Sequence, residues 1–368
     1  MSFDERIPRS SGIFAEIASL QQRGRRAVLA SPLWSQGSVP FSRQAKLLVR
    51  DDGSILGTIG GGALEAAVLE AAPAVLDADR ARVVEFDLTE SDAAARGMIC
   101  GGRCAVLLEP ISPARGREVF AAAAQAAARG EPIVLITLLP APSAQTHVSR
   151  LALTCKRELV GSTGDSPLDH ALAQLAEEAL SEGRPRFLED PVPVHIDPLL
   201  ARPSVFIFGG GHLAVPLAMI ADLVGFRVVV VDDREEFANR QRFPWAEEVF
   251  VGSVSEAFAH LAIGADARAG QTYIVAVTRG HAFDEEVVAH SLRTPARYIG
   301  MIGSKRKVAS VLGRLRNRGF PDQDLNRVHA PIGLDIGADT VEEIAVSIAA
   351  QLIAARRAGV GVVRSPFA

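Results

Sequence analysis

Two glycine-rich turns are the first features of this chain that could bind a charged ligand. The first is "GTIGGGALE", Gly57–Glu65, where three glycines separate an apolar run from an alanine-rich segment. We expect the backbone N–H groups of Gly60, Gly61 and Gly62 to face a ligand oxyanion, because a turn of small residues leaves them accessible. Glu65 is included among the candidate cofactor-binding residues.

The second turn, "FIFGGGHLAVPLA", has the spacing of a dinucleotide-binding fingerprint. Gly209, Gly211 and Ala214 fit G-x-G-x-x-G/A between a β-rich run and a helix, and Gly210 and His212 lie among them. Small residues at these positions let backbone N–H groups approach a pyrophosphate at the helix N-terminus. A tight turn that binds no ligand is the alternative.

Charged side chains follow the later strands of the same half. Asp232 and Asp233 end the strand that comes roughly 20 residues after the glycines, where a carboxylate can accept hydrogen bonds from a ribose. We expect Asp232 to favour an unphosphorylated ribose. Loops that follow parallel strands meet at one edge of the sheet, which predicts a shared crevice. Its other candidate binding residues are Arg234, Thr278, Arg279, Gly280, His281, Gly303, Ser304, Lys305 and Arg306.

The segment "SKRKVASVLGRLRNRG" admits two interpretations. Val308, Val311, Leu312 and Leu315 form an apolar stripe, so the body of the segment is a solvated amphipathic helix. The cations at its start oppose the helix dipole unless an anion is present. We therefore interpret residues 304–306 as part of an anion site.

The segment "GMICGGRC" contains the clearest candidate metal ligand. Cys100 precedes Gly101 and Gly102, which would let a large ligand approach the sulfur, whereas Cys104 enters an apolar run and is interpreted as structural. A zinc site is disfavoured because structural zinc needs four ligands. A nucleophilic thiol would need a neighbouring base, which the sequence does not identify.

Strand and helix patterns indicate two α/β halves. From Ser204 onward, short β-rich runs alternate with helices, which predicts a Rossmann-like, doubly wound parallel sheet. The first half has six β-rich runs, with helices predicted over 63–76 and 112–129, and we expect a mixed sheet there. The fold class is therefore α/β throughout.

A proline-rich stretch lies between the halves. Five prolines in residues 184–203 disfavour a helix, and we interpret this stretch as a junction that proteases should cut near residues 189–202. The predicted domains are an N-terminal α/β domain over residues 1–190 and a Rossmann-like nucleotide-binding domain over residues 200–368.

Composition excludes several classes of function. The 368 residues are 48% hydrophobic and 22% charged, with a formal net charge of -4, so nothing drives the chain toward nucleic acid. The apolar runs are shorter than the roughly 20 residues that span a bilayer. The N-terminus lacks the apolar core of a secretory signal, and three cysteines do not suggest a disulfide framework. We expect a cytoplasmic protein without a membrane or nucleic-acid partner.

Six blocks of sequence carry a resemblance, and they are, in order, "GTIGGGALE", "GMICGGRCAVLLEP", "VVVDDREEFANRQRFPWAEEV", "VTRGHAFDEEVV", "YIGMIGSKRKV" and "RVHAPIGLDIGADTVEEIAVSIAAQLIAARR". Together they resemble the XdhC/CoxI family of xanthine dehydrogenase accessory proteins, and the similarity covers nearly the whole chain. One departure concerns Arg43. The family commonly has an Arg-x-Pro-Gly-Ala-Lys-like stretch, whereas this chain reads "GSVPFSRQAKLLV", with Gln44 at the usual glycine.

The resemblance implies a maturation factor for molybdenum hydroxylases. Such a protein would bind the molybdenum cofactor, a molybdopterin with or without a nucleotide, and protect it during sulfuration by a cysteine desulfurase. It would then deliver the cofactor to an apo hydroxylase of the xanthine dehydrogenase type. Cys100 would provide a soft thiolate to the molybdenum, and Arg43 would join the glycines in binding the cofactor.

Two further functions and one question of packing remain open. The fingerprint at Gly209–Gly211 also fits an NAD-dependent oxidoreductase, which would need a proton-transfer residue such as His212 or His281 beside its substrate. A redox-sensing thiol protein centred on Cys100 is a third reading. Apolar residues in "VEEIAVSIAAQLIAARR" could pack internally or in a homodimer.

Overall fold

The computed structural model divides the chain into two compact units, residues 1–201 and 202–368. It describes residues 10–39, 45–87, 102–139, 148–190, 192–264 and 271–358. Each unit has its own apolar cores. The α/β class and the parallel C-terminal sheet predicted from the sequence are confirmed.

The N-terminal unit contains two five-stranded sheets, and all their described strand pairs are antiparallel. This differs from the single mixed sheet that we expected. Short connections such as the turn between β2 and β3 reverse the chain direction and therefore give antiparallel neighbours. The first sheet has the order β3-β2-β1-β5-β4, with strands β1 (Ala27–Gln36), β2 (Lys46–Arg50), β3 (Ile55–Thr58), β4 (Arg82–Asp87) and β5 (Arg103–Ile111).

The second sheet has the order β8-β7-β6-β10-β9. Its strands are β6 (Ile133–Leu138), β7 (Ser149–Thr154), β8 (Leu159–Val160), β9 (Arg186–Leu188) and β10 (Val194–Leu199). The helices described in this unit are α1 (Ser10–Gln22), α2 (Gly62–Ala78), α3 (Arg117–Arg129) and α4 (Ser166–Glu182), and they cover the two sheets. Each helix packs one apolar face into the cores, such as Ile13, Phe14 and Ile17 of α1.

Most of the proline-rich stretch belongs to the second sheet of the N-terminal unit, and the units divide near the end of the stretch. It contains two paired strands, and β10 lies between β6 and β9 with five of its six residues buried. Pro198 lies beyond the residues that pair with β9, a position where a strand tolerates the missing N–H. The units divide at Ala201/Arg202, and cleavage near residues 189–202 stays a prediction, although the buried β10 offers a protease few accessible residues.

The C-terminal unit is built on a six-stranded parallel sheet of order β13-β12-β11-β14-β15-β16. This order corresponds to the 3-2-1-4-5-6 arrangement of dinucleotide-binding folds. The strands are β11 (Ser204–Phe208), β12 (Arg227–Asp232), β13 (Glu248–Val251), β14 (Thr272–Ala276), β15 (Tyr298–Met301) and β16 (Val328–His329). The described helices are α5 (Ala214–Leu223), α6 (Val254–His260), α7 (His281–Leu292), α8 (Lys305–Asn317), α9 (Asp322–Leu325) and α10 (Val341–Ala358).

Both faces of the parallel sheet are covered. Helices α5 and α10 pack on one face around Phe226 and Tyr273, and α6, α7 and α8 pack on the other. Strand residues are buried on both sides, which explains why the runs "SVFIF" and "RVVVV" are apolar without alternation. Within the described part of the chain, no helix is both long and apolar enough to cross a membrane.

Candidate functional site

The glycine turn after β11 uses its three glycines in different ways. A Cβ on Gly209, whose φ is +106°, would lie 2.5 Å from the carbonyl oxygen of Val277, and one on Gly210 would lie 2.3 Å from that of Phe237. A Cβ on Gly211 meets no atom within 4 Å. The first two glycines therefore permit close backbone packing, and Gly211 faces open space. The exposed His212 follows, shortly before the start of α5, which has no side-chain cap.

Asp232 lies at the end of β12, as predicted, but its carboxylate is occupied within the protein. Its oxygens accept hydrogen bonds from the Gly210 N–H at 2.8 Å and from the N–H, Nε and Nη2 of Arg234 at 3.1, 2.9 and 3.1 Å. These four bonds fill the usual acceptor capacity of a carboxylate. Burial raises the pKa of Asp232, yet the hydrogen bonds from Arg234 and Gly210 outweigh it and the pKa is lowered.

Asp232 therefore holds the glycine turn against β12, and its assignment to a ribose stays a prediction. The neighbouring Asp233 is more exposed, and its carboxylate accepts a hydrogen bond of 3.0 Å from Nη2 of Arg279. The Arg234 guanidinium lies 3.7 Å from the centre of the Phe237 ring. Asp233, Arg234 and Arg279 line, together with residues 252–254, a shallow open cleft of about 30 Å3 at the carboxyl edge of the sheet.

The loop after β14 is tied to α8 by a buried carboxylate. Asp284 is fully buried, accepts a hydrogen bond of 2.8 Å from the Thr278 hydroxyl, and forms an ion pair with Lys307. Lys307 thus has an internal anion, whereas the dipole argument for Lys305 and Arg306 stays a prediction. Ser304 caps α8 by accepting a hydrogen bond of 3.3 Å from the Lys307 N–H.

The remaining candidates of this half lie on the same two loops. Gly280 is the N-cap of α7 and His281 its first residue. Gly303 has a φ of +157° and packs against the Lys307 side chain. Lys305 and Arg306 are exposed in the first turn of α8. The structure thus brings the predicted residues of the second half to one edge of the sheet, while several of them are used for local order.

The glycine turn of the N-terminal unit has an unusual backbone. Gly60, Gly61 and Gly62 all have positive φ, at 104°, 70° and 65°, which few residues other than glycine adopt. Gly61 is the N-cap of α2, has no side-chain cap, and faces open space. Glu65 accepts hydrogen bonds from the Thr58 hydroxyl at 2.7 Å and the Ile59 N–H at 3.3 Å. Glu65 therefore orders the turn from within.

The glycine turn after β3 and Gly102 before β5 follow the same direction along the first sheet but do not lie at one level. Gln36 pairs with Arg103, whereas Thr58 pairs with Lys46, beside the Leu47–Ala30 pair, so β3 ends several residues before the level of Gln36. Strands β3 and β5 are three positions apart, which corresponds to about 14 Å. Arg43, Cys100 and Gly101 lie outside the described residues.

Gly102 and Cys104 both lie in tightly packed positions. A Cβ on the buried Gly102 would lie 2.3 Å from the Ser38 carbonyl oxygen, so this glycine lets the chain after β1 pack closely. Cys104 is fully buried in β5, and burial raises its thiol pKa to about 11. Among the described residues, no cluster of three histidine, cysteine or acidic side chains could hold a metal ion.

Sequence reasoning missed a buried charged cluster between the two N-terminal sheets. Lys46 Nζ lies 2.5 Å from Asp197 Oδ2, with each side chain 2% exposed. Arg150 forms a second buried ion pair with Glu109. Burial lowers the pKa of the nearby His195 to about 4. Lys46 and Asp197 are 151 residues apart, and no local pattern marks such a pair.

Two family models match this chain in sequence order. The model described as XdhC and CoxI family matches residues 20–87, and the one described as XdhC Rossmann domain matches residues 205–352. Together they cover more than half of the chain. The resemblance drawn from the sequence blocks is confirmed by both.

Individual proteins show the same relationship. A Bacillus subtilis (strain 168) protein, named as a probable subunit of xanthine dehydrogenase, is 24% identical over 341 residues, covering 92% of this chain and 96% of that protein. The uncharacterized protein YqeB of Escherichia coli (strain K12) is 25% identical over 341 residues, and the chain spans 46% of its length.

A solved structure extends the likeness to the whole fold. A crystal structure described as a xanthine dehydrogenase from Bacillus halodurans superposes with a TM-score of 0.75 at 25% identity, covering 95% of this chain and 96% of that one. The two family matches and this full-length likeness agree, and the chain belongs to the XdhC/CoxI family.

Proposed function

We propose that this protein binds the molybdenum cofactor, protects it during sulfuration, and delivers it to an apo hydroxylase of the xanthine dehydrogenase type. Membership of the XdhC/CoxI family supports an accessory role in this context, as do relatives whose names refer to xanthine dehydrogenase. The observation that carries the proposal is the turn Gly60–Gly62, three consecutive left-handed glycines before an uncapped helix.

The residues of this turn fit an anionic pterin cofactor. A Cβ placed on Gly61 would have no neighbouring atom within 4 Å, so a ligand group can approach the backbone there. The start of α2 has no side-chain cap, and the N–H groups and positive dipole of a helix N-terminus both favour a phosphate. When bound, the cofactor would supply its molybdenum centre to the partner enzyme; the protein's own role is to hold and cover it.

Cys100 is proposed as the ligand that holds the metal during this protection. A thiolate is a soft ligand that suits a thiophilic metal. Gly101 and Arg43 are proposed to contact the rest of the cofactor. A cysteine desulfurase would act as a second partner during sulfuration, and the protein would work in the cytoplasm, as a homodimer if α10 pairs between copies.

We propose a nucleotide for the cleft of the C-terminal unit. The strand order, the open Gly211 and the arginines Arg234 and Arg279 favour a ligand with a pyrophosphate. Either the nucleotide of a dinucleotide form of the cofactor or NAD would fit this chemistry. An NAD-dependent oxidoreductase is the second candidate function, and the same fingerprint favours it.

A transfer assay separates the two functions. This protein is first loaded by co-expression with the enzymes of molybdenum-cofactor synthesis. The loaded protein is then incubated with an apo hydroxylase of the xanthine dehydrogenase type, and hydroxylase activity is measured. We expect activation that depends on the loaded protein and is absent with unloaded protein. No activation, together with NADH formation by the protein alone on candidate substrates, would favour the oxidoreductase.

A further inference from the structure

We propose that a pocket between strands β1 and β9 of the N-terminal unit binds the pterin ring of the cofactor, an inference that rests on the function proposed above. The pocket is an open cavity of about 340 Å3, at the lower end of the size range of small-molecule sites. Its described lining consists of Pro32, Leu33, Trp34, Ser35, Pro185, Phe187 and Glu189.

Two aromatic rings suit this pocket to a flat ligand. Trp34 and Phe187 are both partly exposed, and they pack against an apolar cluster of Leu33, Ala105, Leu107 and Leu139. The cluster packs against one side of the two rings, and the remaining ring surface borders the cavity. A planar conjugated heterocycle stacks favourably on such surfaces, as nucleobases do.

A β-bulge places Trp34 on the pocket side of the sheet. Pro32 pairs with Val106 and Trp34 pairs with Ala105, so Leu33 is an extra residue in β1. Val106 belongs to the core on one face of the sheet and Ala105 to the cluster on the other. Without the bulge, Trp34 would face the same side as Pro32, because side chains alternate. Bulges of this kind commonly redirect a side chain next to a functional site.

Glu189 gives the pocket a chemical preference. Its exposed carboxylate lies in the lining just after β9, and the described lining residues include no cation that would neutralise it. A pterin presents two adjacent donors, the ring N3–H and the 2-amino group. An ionised carboxylate accepts two such bonds side by side. The pocket thus combines stacking surfaces with an acceptor for the aminopyrimidine edge.

The pocket also adjoins the end of the sheet where the cofactor residues were predicted. Trp34 and Ser35 lie in the last part of β1, and the next residue, Gln36, pairs with Arg103 beside Gly102. Gly60–Gly62 lead into α2, which packs on the other face of the sheet, so substituents of a pterin in the pocket would reach these glycines around this end of the sheet.

Tryptophan fluorescence tests this inference directly. The chain has two tryptophans, so Trp245→Phe leaves Trp34 as the single reporter. The probes are 6-hydroxymethylpterin and 6-hydroxymethyllumazine, which has an oxygen in place of the 2-amino group. We expect pterin to quench Trp34 and to bind about tenfold or more tightly than lumazine, the range of a charge-assisted hydrogen-bond pair. Absence of quenching, or equal affinity for the two probes, would overturn the proposal.

Matched substitutions identify the residues responsible. Glu189→Gln should remove the preference for pterin, while Asp190→Asn at the neighbouring exposed carboxylate should preserve it. Trp34→Leu and Phe187→Leu should each weaken pterin binding on the order of tenfold by calorimetry, with circular dichroism confirming the fold. Unchanged affinity in both folded variants would contradict the proposal.

Cofactor loading separates this inference from the proposed function. If wild type and Trp34→Leu co-purify with equal amounts of pterin, the pocket assignment is wrong and the function stands. If wild type acquires no pterin from cells that make the cofactor, the function itself is wrong.

Discussion

Lys46 and Asp197 form a buried ion pair that joins the two sheets of the N-terminal unit. Lys46 is the first residue of β2 in the first sheet, and Asp197 lies in β10 of the second. The Lys46 carbonyl oxygen lies 2.4 Å from the place of a Cβ on Gly57, and Lys46 pairs with Thr58. The pair therefore anchors the strand beside which the Gly60–Gly62 turn begins.

Removing either partner of this pair should strongly destabilise the unit. Lys46→Met or Asp197→Leu leaves one buried charge without its partner, and we expect each to lower the free energy of unfolding by about 3–5 kcal/mol. The double substitution should recover most of this loss, because it leaves no buried charge. Chemical denaturation followed by Trp34 fluorescence gives these values, and additive losses in the double variant would contradict the coupling.

The exposed ion pair between Arg186 and Glu182 is the matched control. Its side chains are 26% and 50% exposed, so Arg186→Met should change the free energy of unfolding by less than about 1 kcal/mol.

His195 should make the N-terminal unit sensitive to acid. Burial lowers its pKa in the folded protein to about 4, below the unfolded value of about 6.5. As the pH falls below about 6.5, the unfolded chain binds a proton that the folded chain does not, so stability decreases until the pH reaches about 4. The total effect is at most about 3 kcal/mol.

Substitution of His195 should flatten this dependence. In His195→Gln the free energy of unfolding should fall less between pH 7 and pH 4.5 than in wild type, whereas His170→Gln, on the exposed face of α4, should leave the wild-type slope unchanged. A wild-type slope that survives in His195→Gln would show that other groups cause it.

The glycines of the second turn should respond differently to alanine. Gly210→Ala places a carbon 2.3 Å from the Phe237 carbonyl oxygen and should destabilise the C-terminal unit. Gly211→Ala meets no neighbour and has no positive φ, so stability should stay within about 0.5 kcal/mol of wild type. If Gly211 faces a nucleotide, its alanine variant should nevertheless bind nucleotide more weakly in calorimetry. Unchanged binding of NAD, NADP and cytidine nucleotides would leave the turn without that role.

The elements of the fold could be predicted from local patterns, because apolar runs such as those of β6 and β12 reflect burial in any sheet. Their pairing could not. Strand β1 pairs with β5 across more than 60 residues, and β10 is central although its sequence contains proline. Antiparallel order depends on which strands meet, and the period of a strand carries no information about its partner.

The candidate site was predictable to a similar degree. The glycine turns lie where strands meet helices, as their spacing indicates. The sequence could not reveal that Arg234 would saturate Asp232, or that Lys307 would neutralise Asp284, because these contacts depend on side-chain placement after folding. The bulge at Leu33 was equally hidden, since an extra residue is recognisable only against the partner strand.

The central claim, that this protein carries the molybdenum cofactor, is tested most directly by metal and pterin content per chain. Wild type, Cys100→Ser and the control Cys155→Ser, which replaces an exposed thiol in the β7–β8 turn, are purified from cells that make the cofactor. We expect molybdenum and pterin in similar amounts in wild type and Cys155→Ser, and markedly less molybdenum in Cys100→Ser, because the soft ligand is lost with little change of volume. Wild-type protein free of both molybdenum and pterin would contradict the account.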